Sequence, residues 1–125
     1  MPTYEVTVAF AFTARHAARL PDGTLEPSHA HAWRVTATYR AERLDDRGFV
    51  VDFLAVRGAL ETLGRRLSGA DLNAAIPPAS TGASAERVAE YLAAELARKV
   101  GKVPYCLRVR EASDCTAACY PAGAE

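Results

Sequence analysis

Hydrophobic and polar positions alternate with a period of two in the first third of the chain. Between Thr3 and His16 the even positions are mostly apolar and the odd positions hold most of the polar residues. A second alternating run extends from His29 to Ala41. Successive side chains of a strand point to opposite faces, so both runs predict half-buried strands. The stretch 20–28 between them contains Pro and Gly and predicts a loop.

The apolar spacing changes to three and four residues in the middle of the chain, which is typical of helices. The first helical stripe consists of Phe53, Val56, Leu60, Leu63 and Leu67. Asp52 suits its N-cap and Gly69 its end. A second helix is predicted from the N-cap Ser84 to a stop at Gly101, after a connector over 73–82.

Alternation returns near the end of the chain. Tyr105 to Glu111 predicts a third strand, and Cys115 to Tyr120 predicts a short fourth one. The element order is therefore β-β-α-α-β-β. Strands joined as hairpins favour a four-stranded antiparallel sheet. Two consecutive helices are expected to pack on one face of that sheet, so the predicted fold class is α+β.

Composition narrows the classes of protein. Half of the 125 residues are hydrophobic and the net charge is zero, with 15 basic and 15 acidic residues. This composition favours a single domain that spans residues 1–125. It argues against disorder, against nucleic-acid binding and against binding to a membrane surface. No apolar run is long enough to span a membrane, and no basic segment precedes an apolar one as in a secretory signal. Three cysteines form no disulfide framework, so a cytoplasmic location is expected.

All three histidines of the chain lie between residues 16 and 31. His29 and His31 are two apart on one predicted strand, so their side chains leave the same face. His16 ends the preceding strand on that strand's apolar face. Antiparallel pairing would bring the three imidazoles together, and three neutral imidazoles are a sufficient ligand set for catalytic zinc. The alternative is a chance His-x-His pair beside an ordinary histidine at a strand end.

Glu111 lies on the same face of the predicted third strand as the apolar residues Tyr105, Leu107 and Val109, because all four occupy odd positions. A carboxylate on that face needs a partner, because an unpaired buried charge is costly. One interpretation is a salt bridge with Arg34, Arg40 or another arginine. The other is an anchor for a ligand with two adjacent N–H donors, since a carboxylate accepts two parallel hydrogen bonds.

Six short motifs in one order carry a family resemblance. They are Phe10-x-Phe12-x-Ala14-x-His16, His29-x-His31, Gly48-Phe49-Val50-Val51-Asp52-Phe53, Leu72-Asn73, Ser84-x-Glu86 and Val109-x-Glu111. In order and spacing this set resembles the 6-pyruvoyl-tetrahydropterin synthase and 6-carboxy-tetrahydropterin synthase family. No single motif is specific, but the ordered set covers nearly the whole chain.

The resemblance implies the tunnelling fold (T-fold), whose sheets join at their edges into an oligomeric barrel, as a trimer or as a hexamer of two trimers. It implies a zinc ion bound by His16, His29 and His31 and a pterin substrate held by Glu111. The stretch from Ser84 to Glu86 would help to line the pocket. Such a protein needs a small-molecule pterin and copies of itself as partners.

The chain departs from the family pattern at the acid/base residues. Leu25 occupies the position of the family cysteine, and Ser68-Gly69 occupies that of the family Asp-His pair. Ala30 replaces the usual glycine between the paired histidines. The ordinary synthase reaction needs that proton transfer, so these departures argue against standard synthase activity.

Glu26 offers a replacement, because it lies three residues before His29. The motif resembles a variant branch in which a glutamate replaces the cysteine and the dihydroneopterin side chain is cleaved to 6-hydroxymethyl-dihydropterin. This predicts a zinc-dependent pterin enzyme of the carbon–oxygen or carbon–carbon lyase type. The alternative is a pterin-binding homologue that has lost the catalytic set and no longer needs zinc, with Glu26 a solvated loop residue.

Overall fold

The computed structural model describes residues 1–77 and 82–124. In chain order its elements are β1 (Tyr4–His16), β2 (His29–Ala41), α1 (Phe53–Leu67), α2 (Leu72–Ala75), α3 (Ala85–Val100), β3 (Cys106–Ala112) and β4 (Cys115–Cys119). Within this part of the chain, the strands form one antiparallel sheet in the order β1-β2-β3-β4. The predicted α+β architecture is therefore confirmed.

The predicted connector between the two long helices is wrong at its start, where the chain forms the short helix α2. Asp71 caps it, because its carboxylate accepts a hydrogen bond from the amide of Asn73 at 3.0 Å. The apolar spacing could not show a helix of one turn. Residues 78–81 of the predicted connector lie outside the described residues. Strand β3 begins one residue later than predicted and extends one residue past Glu111.

Helices α1 and α3 pack on the same face of the sheet, α1 against β1 and α3 against β3 and β4. The predicted caps are confirmed: the Asp52 carboxylate accepts from the amide of Leu54, and the Ser84 hydroxyl accepts from that of Arg87. Gly101 ends α3 with a φ of 82°, a left-handed conformation that glycine adopts without steric cost.

The core lies between the helices and the inner face of the sheet. Its largest fully buried side chains include Trp33, Tyr39, Leu60, Leu92 and Leu107. Burial of each large apolar side chain stabilises the fold by about 1.5–3 kcal/mol. The same inner face carries the three histidines at one end of the sheet, so the core forms the floor of the candidate site.

In residues 1–77 and 82–124 no helix covers the outer face of the sheet, which carries mainly threonine, alanine and arginine side chains. Among the described residues, no helix combines the length and the apolar character that a membrane span requires.

Candidate metal and substrate site

Strand pairing brings the three histidines together. His16 lies directly opposite His29 in the β1–β2 ladder, and His31 lies opposite Ala14. The ring centroid of His29 lies 4.6 Å from that of His16 and 4.6 Å from that of His31. The ring centroids of His16 and His31 are 5.2 Å apart. Because Ala14 is small, it leaves room for the imidazole of His31 on the shared inner face. The convergence expected from strand parity is thus present in the structure.

His16 is held at the bottom of this cluster and is only 1% exposed. Its Nδ1 lies 2.7 Å from the carbonyl oxygen of Ala83, and the indole of Trp33 packs edge-on against it at 4.8 Å. The next residue, Ala17, is bound by the Asn73 side chain, which accepts from its amide at 2.8 Å and donates to its carbonyl at 2.9 Å. The imidazole therefore has one fixed orientation.

The hydrogen bonds of His16 and His29 determine which ring nitrogens face each other. Nδ1 of His29 lies 3.0 Å from the carbonyl oxygen of Pro27. A carbonyl oxygen only accepts, so in both neutral rings Nδ1 carries the proton and Nε2 carries a lone pair. The two Nε2 atoms lie 3.0 Å apart. Two facing acceptors at that distance repel each other unless a proton or a metal ion lies between them.

Glu111 brings a carboxylate to the same point. The β2–β3 ladder ends at the pair Arg34 and Arg110, and a register shift follows in the β3–β4 ladder. A bulge of this kind redirects a side chain. Oε1 of Glu111 lies 3.2 Å from Nε2 of His31 and 3.4 Å from Nε2 of His16. Its structural partners are histidines, and Arg34 projects from the opposite face of the sheet.

The four donor atoms fit a zinc ion. Nitrogen and oxygen ligands about 2.0–2.1 Å from a tetrahedral zinc lie about 3.3–3.4 Å from one another. The ligand atoms of His16, His29, His31 and Glu111 all lie within 4.8 Å of one another, and several pairs are close to the tetrahedral spacing. Nε2 of His31 is buried and makes no hydrogen bond within the described part of the chain, although Oε1 of Glu111 lies 3.2 Å from it. Backbone carbonyls bound to Nδ1 are the usual partners of zinc-binding histidines.

Glu26 lies at the rim of the cluster. The backbone amide and the side chain of Glu26 both bind Ala18: the amide donates to its carbonyl, and Oε1 accepts from its amide, each at 2.9 Å. The same Oε1 is 3.7 Å from Nε2 of His29. The glutamate lies in a partly exposed loop and is anchored beside the imidazoles by its hydrogen bonds to Ala18.

Ser84 and Glu86 are not brought to the cluster by their own side chains. The Ser84 hydroxyl caps α3, and Glu86 is exposed in its first turn. What reaches the site from this segment is the carbonyl of Ala83, which binds His16. Sequence patterns could not show that role, because a backbone carbonyl is present at every position.

The positions of the missing catalytic residues hold no acid or base. Leu25 is 49% exposed, and Ser68 and Gly69 end α1. Two of the cysteines are poor substitutes, because hydrogen bonding to Asp114 chiefly raises the pKa of Cys115 and burial chiefly raises that of Cys119. A raised pKa lowers the fraction of reactive thiolate.

Comparison with known proteins defines the class. The chain matches the sequence model of the 6-pyruvoyl tetrahydropterin synthase family over residues 5–122. The protein belongs to this family. No curated protein matches its sequence significantly.

Solved structures show the same fold at low sequence identity. The chain is similar to the 6-pyruvoyl tetrahydropterin synthase of Caenorhabditis elegans, with 16% identity, a TM-score of 0.80 and 98% of each chain covered. It is also similar to the Plasmodium vivax 6-pyruvoyltetrahydropterin synthase, solved as an alanine mutant of a catalytic glutamate. That match has 14% identity and a TM-score of 0.76, and it covers 97% of this chain and 99% of the other.

Proposed function

We propose that this protein is a zinc-dependent enzyme acting on a 7,8-dihydroneopterin-type pterin, with residues other than those of the standard synthase set. The observation that carries the proposal is the pair of Nε2 lone pairs 3.0 Å apart, with a third Nε2 and a carboxylate oxygen beside them. His16, His29 and His31 would hold the ion. Bound there, zinc would polarise the substrate's side-chain oxygens as a Lewis acid.

Glu111 has two tasks in this proposal. Its Oε1 lies beside the three imidazoles and could be a fourth donor for the ion. When a pterin binds, the same carboxylate accepts two hydrogen bonds from the adjacent N–H groups of the pyrimidinone edge. The two tasks would need two positions of the carboxylate, one beside the imidazoles and one turned toward the pterin.

Glu26 acts as the general base. Its carboxylate is 3.7 Å from Nε2 of His29, so a substrate hydroxyl placed near the imidazoles would lie within its reach. Removal of the proton from the C2' hydroxyl would let the C1'–C2' bond break, with C2' leaving in a two-carbon aldehyde. The electron pair would pass into the C=N bond of the pterin ring, and protonation of C1' would give 6-hydroxymethyl-dihydropterin. A glutamate is named as catalytic in the Plasmodium vivax relative, which supports this role.

A second candidate function is pterin binding without turnover. It is favoured by the replacement of the family's acid/base residues by Leu25, Ser68 and Gly69. Incubation with 7,8-dihydroneopterin triphosphate, with and without added zinc, separates the two by product identification. Zinc-dependent formation of a shortened pterin supports the enzyme, whereas unchanged substrate with measurable binding supports the binding protein.

Glu111→Gln should weaken pterin binding more than tenfold. Glutamine keeps the size of the side chain but turns a donor toward the donors of the ligand, and each charge-assisted hydrogen bond contributes about 1.5–3 kcal/mol. A tenfold loss needs only about 1.4 kcal/mol. Fluorescence titration with a dihydropterin measures it, with Glu61→Gln on the exposed face of α1 as the matched control. Equal affinity of Glu111→Gln and wild type would contradict the anchor role.

Assembly is part of the proposal. In the single chain, β1 and β4 are the two edges of the sheet, and free edges favour pairing with another strand. We expect a homo-oligomer, as a trimer or a hexamer of two trimers, and a cytoplasmic location. A monomer mass by light scattering at micromolar concentration would contradict the assembly.

A further inference from the structure

The side chain of Asn73 binds the backbone immediately after the histidine cluster. The β1–β2 ladder ends at the pair His16 and His29, so Ala17 lies just beyond the sheet. Oδ1 of Asn73 accepts from the amide of Ala17 at 2.8 Å, and Nδ2 donates to its carbonyl at 2.9 Å. A carboxamide carries the same kinds of donor and acceptor as a peptide group. Asn73 therefore takes the place of a neighbouring strand where β1 ends.

The segment 69–73 reaches this position along the edge of β1 that is not paired with β2. The amide of Gly69 donates to the carbonyl of Thr13 at 2.7 Å, and the carbonyl of Ala70 accepts from the amide of Arg15 at 2.9 Å. The asparagine makes the next contact along this edge, and it uses its side chain because the backbone has turned into α2. The series fixes the last residues of β1 on the side opposite β2.

Hydrogen bonds connect Asn73 to the metal ligand His16. The carbonyl of Ala17 accepts from Nδ2 of Asn73 and also from the amide of Ala83, the latter at 3.3 Å. The carbonyl of Ala83 in turn binds Nδ1 of His16 at 2.7 Å. A displacement of Ala17 would therefore shift both the backbone of His16 and the carbonyl that orients its ring.

The same stretch of backbone holds Glu26. Ala18 follows Ala17 directly; its amide donates to Oε1 of Glu26, and its carbonyl accepts from the amide of Glu26, each at 2.9 Å. Peptide groups are planar and rigid, so a shift of Ala17 passes to Ala18 and from there to the carboxylate. Residues 16–18 thus carry the metal ligand at one end and the attachment of the base at the other.

We propose that Asn73 is a positioning residue that aligns the two halves of the site, the metal ligand His16 and the base Glu26. It acts through the backbone of Ala17 and takes no part in binding the pterin, because Glu111 projects from β3, which lies across β2 from β1. For its effect on catalysis the inference rests on the proposed function. The orientation of the His16 ring is a property of the chain alone and is measured separately.

Asn73→Ala and Asn73→Leu both remove the two hydrogen bonds to Ala17, and leucine keeps the volume of the side chain. We expect zinc to bind about ten- to a hundredfold more weakly to each variant, as is usual when a partner outside the ligand set is lost. Competition with a chelator measures this loss. The kcat with 7,8-dihydroneopterin triphosphate should fall, whereas pterin affinity by fluorescence titration should stay at the wild-type value.

Asp71→Ala is the matched control. The Asp71 carboxylate caps α2 by accepting from the backbone amide of Asn73 at 3.0 Å, so its loss destabilises the same turn and leaves the Asn73 side chain in place. The melting temperature of Asp71→Ala should fall, while its zinc affinity and kcat should match wild type. An equal loss of zinc affinity in Asp71→Ala and in the Asn73 variants would show that Asn73 only stabilises α2, and the inference would be overturned.

Nitrogen NMR of the metal-free protein, labelled at its histidines, depends on neither zinc nor turnover. In wild type and in Asp71→Ala the neutral His16 ring should carry its proton on Nδ1 alone. In the Asn73 variants it should exchange between the Nδ1 and Nε2 forms. An unchanged His16 spectrum, or wild-type zinc affinity in both variants, overturns the inference. A wild-type protein that binds no zinc would instead contradict the proposed function, and the His16 spectrum would then decide the positioning role.

Discussion

His31→Ala should abolish zinc binding, from about one zinc per chain in the wild type to none. The variant removes one of three imidazoles, and with it the buried Nε2 that lies 3.2 Å from Oε1 of Glu111. The fold should survive, because the His31 side chain is 24% exposed and the residue opposite is already alanine. Zinc content by elemental analysis after dialysis measures the effect, and zinc-dependent product formation should be lost with it.

Thermal unfolding gives a readout of the same site that does not depend on activity. A ligand that binds only the folded state stabilises it by about 2.7 kcal/mol at a concentration of 100 times its Kd. Zinc should therefore raise the melting temperature of wild type but not that of His31→Ala. Cys115→Ser is the control, because it removes an exposed thiol that could bind zinc elsewhere. Full zinc content in His31→Ala, or its loss in Cys115→Ser, would contradict the three-histidine site.

The sequence predicts this site well where the pattern along a strand determines geometry. The parity of His29 and His31, together with the position of His16 at the end of β1, was enough to expect three converging imidazoles. The parity of Glu111 likewise indicated its face, although not its histidine partners. A register shift follows Arg110 in the β3–β4 ladder, and such irregularities leave little trace in the pattern of one strand.

The contacts that orient the site could not be predicted from the sequence. The carbonyl of Ala83 is 67 residues away from His16 along the chain, and the Asn73 side chain is 56 residues from the backbone that it binds. These hydrogen bonds follow from packing of α2 and α3 against the sheet. Such contacts are specified by tertiary structure, whereas periodicity reports only local conformation.

Glu26→Gln should lower turnover by about a hundredfold to ten-thousandfold, the usual contribution of a general base. Glutamine retains a carbonyl oxygen that can accept from the amide of Ala18, so the loop should keep its position. Zinc content and pterin affinity should therefore stay at wild-type values, because neither depends on the charge of this carboxylate in the proposed mechanism. Steady-state kinetics with 7,8-dihydroneopterin triphosphate measures the loss as a change in kcat.

Comparison of Glu26→Gln with Glu26→Asp and Glu61→Gln separates a base from a merely structural residue. Glu26→Asp keeps a carboxylate on a shorter side chain and should recover part of the turnover, while Glu61→Gln should match wild type. A base also determines the acidic limb of the pH–rate profile, since the reaction needs its deprotonated form; that limb should disappear in Glu26→Gln. Wild-type kcat in Glu26→Gln would place the base elsewhere.

A wild-type protein that binds pterin tightly and converts none of it would instead establish the binding function. The role of Glu26 would then be limited to its two hydrogen bonds to Ala18.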